Sequence, residues 1–185
     1  MDATWFDHPD RAVCLNNLSD RLESRYKRTG KTPDLEEAIF RSFLAVRATP
    51  LGHVKRADYS ANLGNQLGMR YERTSNLQDL EQAIFQLQQA LLTTGLDRED
   101  ESVYLNNPGN WLGCRYDRTG RMQDLEECIS NVFHAMRITP CKYPDKLIMF
   151  DNMSSGLLRW RTATSSQRCA ALRGWLNRDS RASSI

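Results

Sequence analysis

The chain has 185 residues, 40% hydrophobic and 26% charged, with a net charge of +2, which excludes a disordered chain and fits a soluble globular one. No run approaches the ~18 consecutive apolar residues of a membrane helix. Asp2, Asp7 and His8 interrupt the stretch where a secretory signal needs an apolar core, so the expectation is a cytoplasmic chain with no membrane partner.

In the first predicted helix Cys14, Leu18, Leu22 and Tyr26 recur every fourth place, one stripe of a helix. Gly30 follows as the expected left-handed cap. A second helix is predicted from near Pro33, with acidic residues in its first turn and a buried stripe of Leu35, Ala38, Ile39, Ala45 and Val46 before Thr49-Pro50 ends it. Forty-five residues later the same text returns: Tyr59, Leu63, Leu67 and Tyr71, then Ser75 in the cap place, then Leu80, Ala83, Ile84, Ala90 and Leu91. A third copy reads Tyr104, Pro108, Leu112 and Tyr116, Gly120, then Leu125, Cys128, Ile129, Ala135 and Met136, closed by Thr139-Pro140. Pro108 stands inside a predicted helix, where it removes a backbone donor at a cost of about 3 kcal/mol, so a kink or break is expected there. A partial fourth copy keeps phase at Met149, Asn152, Met153 and Leu157, and the pattern lapses from Gly156 on. The last predicted helix, about Ser166 to Asn177, sets Cys169, Leu172, Trp175 and Leu176 on one face and would cap the stack.

A unit of this length cannot bury its own apolar face and must stack on its neighbours. The expected fold is therefore all-α: an α-solenoid, wound as a right-handed superhelix, of three full 45-residue helical hairpins, a partial fourth and a C-terminal helix. The repeat array spans 1–157, with units at about 8–52, 53–97, 98–142 and 143–157, and 158–185 is a basic tail. From residue 141 on there are eight Lys or Arg against three Asp, a surplus of +5 over an acidic-leaning body.

The order Asn-Leu-Gly-Asn-x-Leu, Arg-Tyr-x-Arg-Thr, Asp-Leu-Glu-x-Ala-Ile, Ala-Leu and Thr-Pro resembles the tetratricopeptide repeat. Leu63, Gly64 and Leu67 match its first-helix places, Ala83 and Ala90 its small second-helix places, and Pro50 and Pro140 its closing proline. The typical repeat is about 34 residues, shorter than the unit here. The resemblance is to the long arrays of fungal proteins that often accompany CHAT-type protease or nucleotide-binding signalling domains. It implies protein binding rather than catalysis.

Four residue patterns bear on chemistry. Gly30-Lys31-Thr32 resembles the end of a phosphate-binding loop, but Arg25 stands where that motif needs glycine, and the other copies mark the place as a repeat turn. His8, His53 and His134 are scattered, and Cys14, Cys114, Cys128, Cys141 and Cys169 contain no C-x-x-C pair, so no metal site, cofactor or nucleophilic pair is expected; the thiols are read as mostly buried. Asparagine is the sharper signal. Asn17, Asn62, Asn107 and Asn152 share one register and Asn65 and Asn110 another, so as a ladder on the concave, first-helix face their amides could grip a peptide backbone; the competing reading is that they bond to one another or to nearby turns. Arginine and tyrosine alternate at Arg25-Tyr26-Arg28 and its copies, read as inter-repeat packing with ion pairs through Glu72 or Asp117.

The functional expectation is a non-enzymatic scaffold holding a peptide or protein partner in its groove. Two alternatives stand beside it: a truncated regulatory or oligomerisation fragment of a larger signalling or protease-type protein, and binding of nucleic acid or an acidic surface through the Arg-rich tail. No residue pattern indicates an oligomeric state.

Overall fold

In a computed structural model of the chain, the described residues are 10–94, 101–139 and 146–163. Among them stand seven helices and no strand: α1 Arg11–Thr29, α2 Thr32–Ala48, α3 Arg56–Thr74, α4 Leu77–Thr94, α5 Glu101–Thr119, α6 Met122–Ile138 and α7 Lys146–Thr162. The starts of α1, α3, α5 and α7 fall at residues 11, 56, 101 and 146, so the 45-residue register is carried into the backbone. Pro140, Cys141, His8 and the predicted helix at Ser166–Asn177 lie outside the described residues.

Each pair turns in two residues. Gly30, Ser75 and Gly120 occupy the left-handed region at φ 68°, 55° and 68°, and each donates its N–H to the tyrosine carbonyl four residues back at 2.7 Å. The residue before each cap is a threonine whose hydroxyl donates to the arginine carbonyl one turn earlier, at 2.8, 2.9 and 2.7 Å. Gly30-Lys31-Thr32 is therefore a helix–helix turn, with Thr32 already the first residue of α2.

The chain divides into two compact units at Asn107–Pro108. In the first unit α2 packs on α1, α3 on α2 and α4 on α3. The core joins Leu15, Leu35, Ile39, Ala45 and Val46 to Tyr59, Leu63, Leu67 and Ala83. All four residues of the α3 stripe are buried, whereas Cys14 is exposed and Leu18 is 42% exposed on α1. The difference follows from position: α3 has helices on both sides, and among the described residues no hairpin precedes α1. Cys114 is half-buried and Cys128 buried, so of the three described thiols one behaves as a core residue.

In the second unit α7 packs on α6, with Gly156 against the side chains of Ile129 and Cys128. Of the kink or break expected at Pro108, the break does not occur. α5 is helical through it, and the proline ring is fully buried. Likewise α7 continues past Gly156, where the sequence leaves the pattern, to Thr162. At two of the junctions between hairpins a cation closes the helix before it. Arg56 donates to the carbonyls of Val46 and Thr49, and Lys146, at the same register place, donates to Thr139 O at 2.8 Å.

Candidate functional site

A bidentate clamp recurs in every hairpin. The guanidinium at the end of the first helix donates to both carboxylate oxygens of the aspartate opening the second: Arg25 to Asp34 at 2.7 and 2.7 Å, Arg70 to Asp79 at 2.9 and 2.6 Å, Arg115 to Asp124 at 2.9 and 2.8 Å. Asp34, Asp79 and Asp124 are all buried. The arginines had been expected to pair across repeats through Glu72 or Asp117; their main partner lies nine residues on, inside the same hairpin. A spacing of nine, constant in three copies, was the available signal. Arg25 bonding holds the Asp34 carboxyl below its ordinary range. Inter-repeat contacts do exist beside the clamp. Arg70 also reaches Glu36 at 2.7 Å, and the Arg73 guanidinium lies over the Tyr26 ring at 5.9 Å.

The asparagines divide between two environments. Asn62 Nδ2 donates to Asn16 Oδ1 at 3.1 Å and to Asp20 Oδ1 at 3.0 Å, while Asn16 donates to Asp20 Oδ2 at 2.9 Å. Asn62 thus ties α3 to α1. The adjoining Gln66 is fully buried and donates to Ser19 Oγ and Glu23 Oε2 at 2.8 and 2.9 Å. Burial, then the Glu23 charge, push the Asp20 carboxyl above its ordinary range against the Asn16 bond. Asn17 and Asn110 are exposed, and Asn65, Asn107 and Asn152 are half-buried, with Asn152 already engaged by a protein contact. Asn17 faces an open groove of about 940 Å³ along α1, lined also by Leu18, Asp20, Arg21, Ser24 and Arg28. The six amides are therefore not one uniform ladder: one is spent on structure, and one lines a groove.

A second groove was not expected. It measures about 370 Å³ and runs between α2 and α4 over α3, with Phe40 and Phe43 on one wall, Gln82 and Gln86 on the other, and Leu63 and Leu67 below. Phe40 and Phe43 are 50% and 44% exposed. Their rings carry Arg41 and Arg47 at 5.6 and 5.7 Å. Phe85 stands at the Phe40 place one copy on, and Phe133 at the Phe43 place two copies on, both exposed. Aromatic residues that miss the buried stripe yet keep the 45-residue register were the sequence signal for this surface.

Among the described residues no group of three or more His, Cys, Asp or Glu could hold a metal ion, and no helix is long and apolar enough to cross a membrane. His53 sits in an exposed turn, its Nδ1 accepting from Lys55 N at 3.2 Å, whereas His134 is half-buried on α6. No protein-family model matches the chain, and no curated protein is significantly similar to it.

Proposed function

We propose that the chain is a non-enzymatic interaction scaffold that holds a peptide or protein partner, in the manner of the tetratricopeptide arrays its sequence resembles. The observation that carries this reading is the groove between α2 and α4. Exposed phenylalanines supply apolar anchors, and the Gln82 and Gln86 amides opposite them offer donors and acceptors for an extended backbone. Neither wall is used up by the fold: Leu63 and Leu67 beneath already close the core. Asn17, with Asn65 and Asn107 on the first helices of the same unit, offers a second amide surface. Asn62 contributes by fixing α3 to α1, so it sets the spacing of that face and does not grip the ligand.

Covering one phenylalanine is worth about 2 kcal/mol, so each one lost lowers affinity about thirtyfold. The test is selection of a random peptide library on the immobilised chain, followed by calorimetric titration of the selected peptides. Phe40→Ala and Phe43→Ala should each weaken binding by that factor with helicity unchanged, because both rings are half exposed. Failure of the library to yield a binder, or binders indifferent to both variants and to Asn17→Ala, would overturn the proposal.

A further inference from the structure

The α7 helix is covered on one side and bare on the other. Gly156 packs on Ile129 of α6, where a Cβ would sit only 3.1 Å from Ile129 Cγ1, and Arg159 reaches back to Asp117 of α5 at 2.8 to 3.0 Å. On the opposite side Leu147, Phe150, Leu157 and Leu158 are 72%, 49%, 51% and 55% exposed. The register says what this bare side is. The corresponding residues of α3 are Ala57, Ser60, Leu67 and Gly68, all buried, and between them Gly64 lies against Leu87 and the Ala83 carbonyl of α4. In α5 the matching Leu105 and Leu112 are buried, and Gly109 meets Val132 and Cys128 of α6. It is the face on which every earlier first helix seats the second helix of its own hairpin. Among the described residues α7 has no such partner.

The register also names what would arrive there from the same chain. Residues 135 positions beyond Ala38 and Val46 are Arg173 and Arg181, so a tail that kept the register would press two guanidiniums into a seam where the first copy buries alanine and valine; the expected Ser166–Asn177 helix, out of that register, lies outside the described residues. The tail also carries a basic surplus toward the Arg161 end of α7.

The face does fit itself. Phe150 lies four residues before Ser154 and Leu158 four after; Leu147 lies seven before and Arg161 seven after. We propose that α7 pairs with α7 of a second copy, antiparallel about a two-fold axis at Ser154. Such a pair seats each Phe150 on the other copy's Leu158 and each Leu147 on the aliphatic stem of the other Arg161, with the small serine at the crossing letting the helices approach. It also brings Asp151 of each copy to within about one helical turn of the other's Arg161, whereas a parallel pair would set like charges together.

Sedimentation velocity of the full chain over a range of micromolar concentrations tests this. The expected result is a reversible monomer–dimer equilibrium. Phe150→Glu and Leu158→Lys should each raise the dissociation constant at least about tenfold, the introduced charge being buried against an apolar partner. Helicity should not change, since both side chains are exposed. The double variant Phe150→Glu/Leu158→Lys sets the introduced carboxylate of each copy against the introduced amine of the other, so dimerisation should return. A chain monomeric throughout, a dimer indifferent to both single variants, or a double variant no better than the singles each overturns the α7 pairing.

Discussion

The first and second hairpins solve one packing problem in two ways. Where the helices of the second cross, Gly64 lies under Leu87: a Cβ on it would sit 2.7 Å from Leu87 Cγ and 3.0 Å from the Ala83 carbonyl oxygen. At the same register places the first hairpin has Ser19 and Ser42, both fully buried. Their hydroxyls are 2.7 Å apart, and Ser19 donates on to the Ala38 carbonyl at 2.8 Å. A void-and-plug seam has become a polar one, with every hydroxyl satisfied. Side-chain identity can therefore drift between copies while the helix–helix distance is kept, provided both sides of the seam change together.

The largest expected effect comes from breaking the seam on one side. Gly64→Val should cost about 3 kcal/mol in urea unfolding, because the backbone carbonyl of Ala83 cannot move aside as a side chain can. Ser42→Leu in the first hairpin imports the plug without the void and should destabilise by about 2 kcal/mol. Adding Ser19→Gly to Ser42→Leu should return part of that loss, and a purely additive double variant would contradict the shared-seam account.

The clamps differ in the same direction as the seams. Arg70 is 26% exposed and bonds both Asp79 and Glu36, whereas Arg25 is 54% exposed and bonds Asp34. Arg70→Ala strands a buried aspartate and should cost about 2 kcal/mol. Arg25→Ala should cost measurably less, since water can replace its guanidinium, and equal thermal shifts in the two variants would remove that distinction.

The caps differ more mildly. Ser75 takes the left-handed conformation that Gly30 and Gly120 take without strain. Ser75→Gly should raise stability by about 1 kcal/mol, and Gly30→Ser should lower it by a similar amount, both read from the urea midpoint.

The smallest effects are those of pH, and two carboxylates of the first hairpin oppose each other. Asp34, held below its ordinary range by Arg25, contributes stability that is present above about pH 4 and lost as pH falls through its folded value. Asp20, raised by burial, has the opposite sign: falling pH protonates it in the folded chain first, and the fold gains. Urea midpoints between about pH 3 and 6 should show Asp34→Asn flattening the acid loss and Asp20→Asn steepening it.

Much of this architecture was legible from spacing. A stripe every fourth residue, turn residues at Gly30, Ser75 and Gly120, and an offset of 45 are local statements, and local geometry obeys them. The buried stripe of α3 was named residue by residue, and the two-helix unit with it. The aromatic groove was written in the same register, in residues set aside because they missed the stripe. Periodicity finds the face that is buried and is silent about the value of what lies off it.

Other outcomes needed the tertiary structure, because they depend on which neighbour is present. Leu18 and Leu63 occupy one repeat position, yet one is exposed and the other buried, since only α3 has a helix on each side. Asn17 and Asn62 are likewise one position, but only Asn62 has Asn16 and Asp20 of a preceding first helix to bond. Leu157 continues the stripe of Leu67 and Leu112 and still faces solvent, because no described helix lies over it. A repeat sequence specifies what each residue could touch; the helices packed beside it decide whether the partner is there.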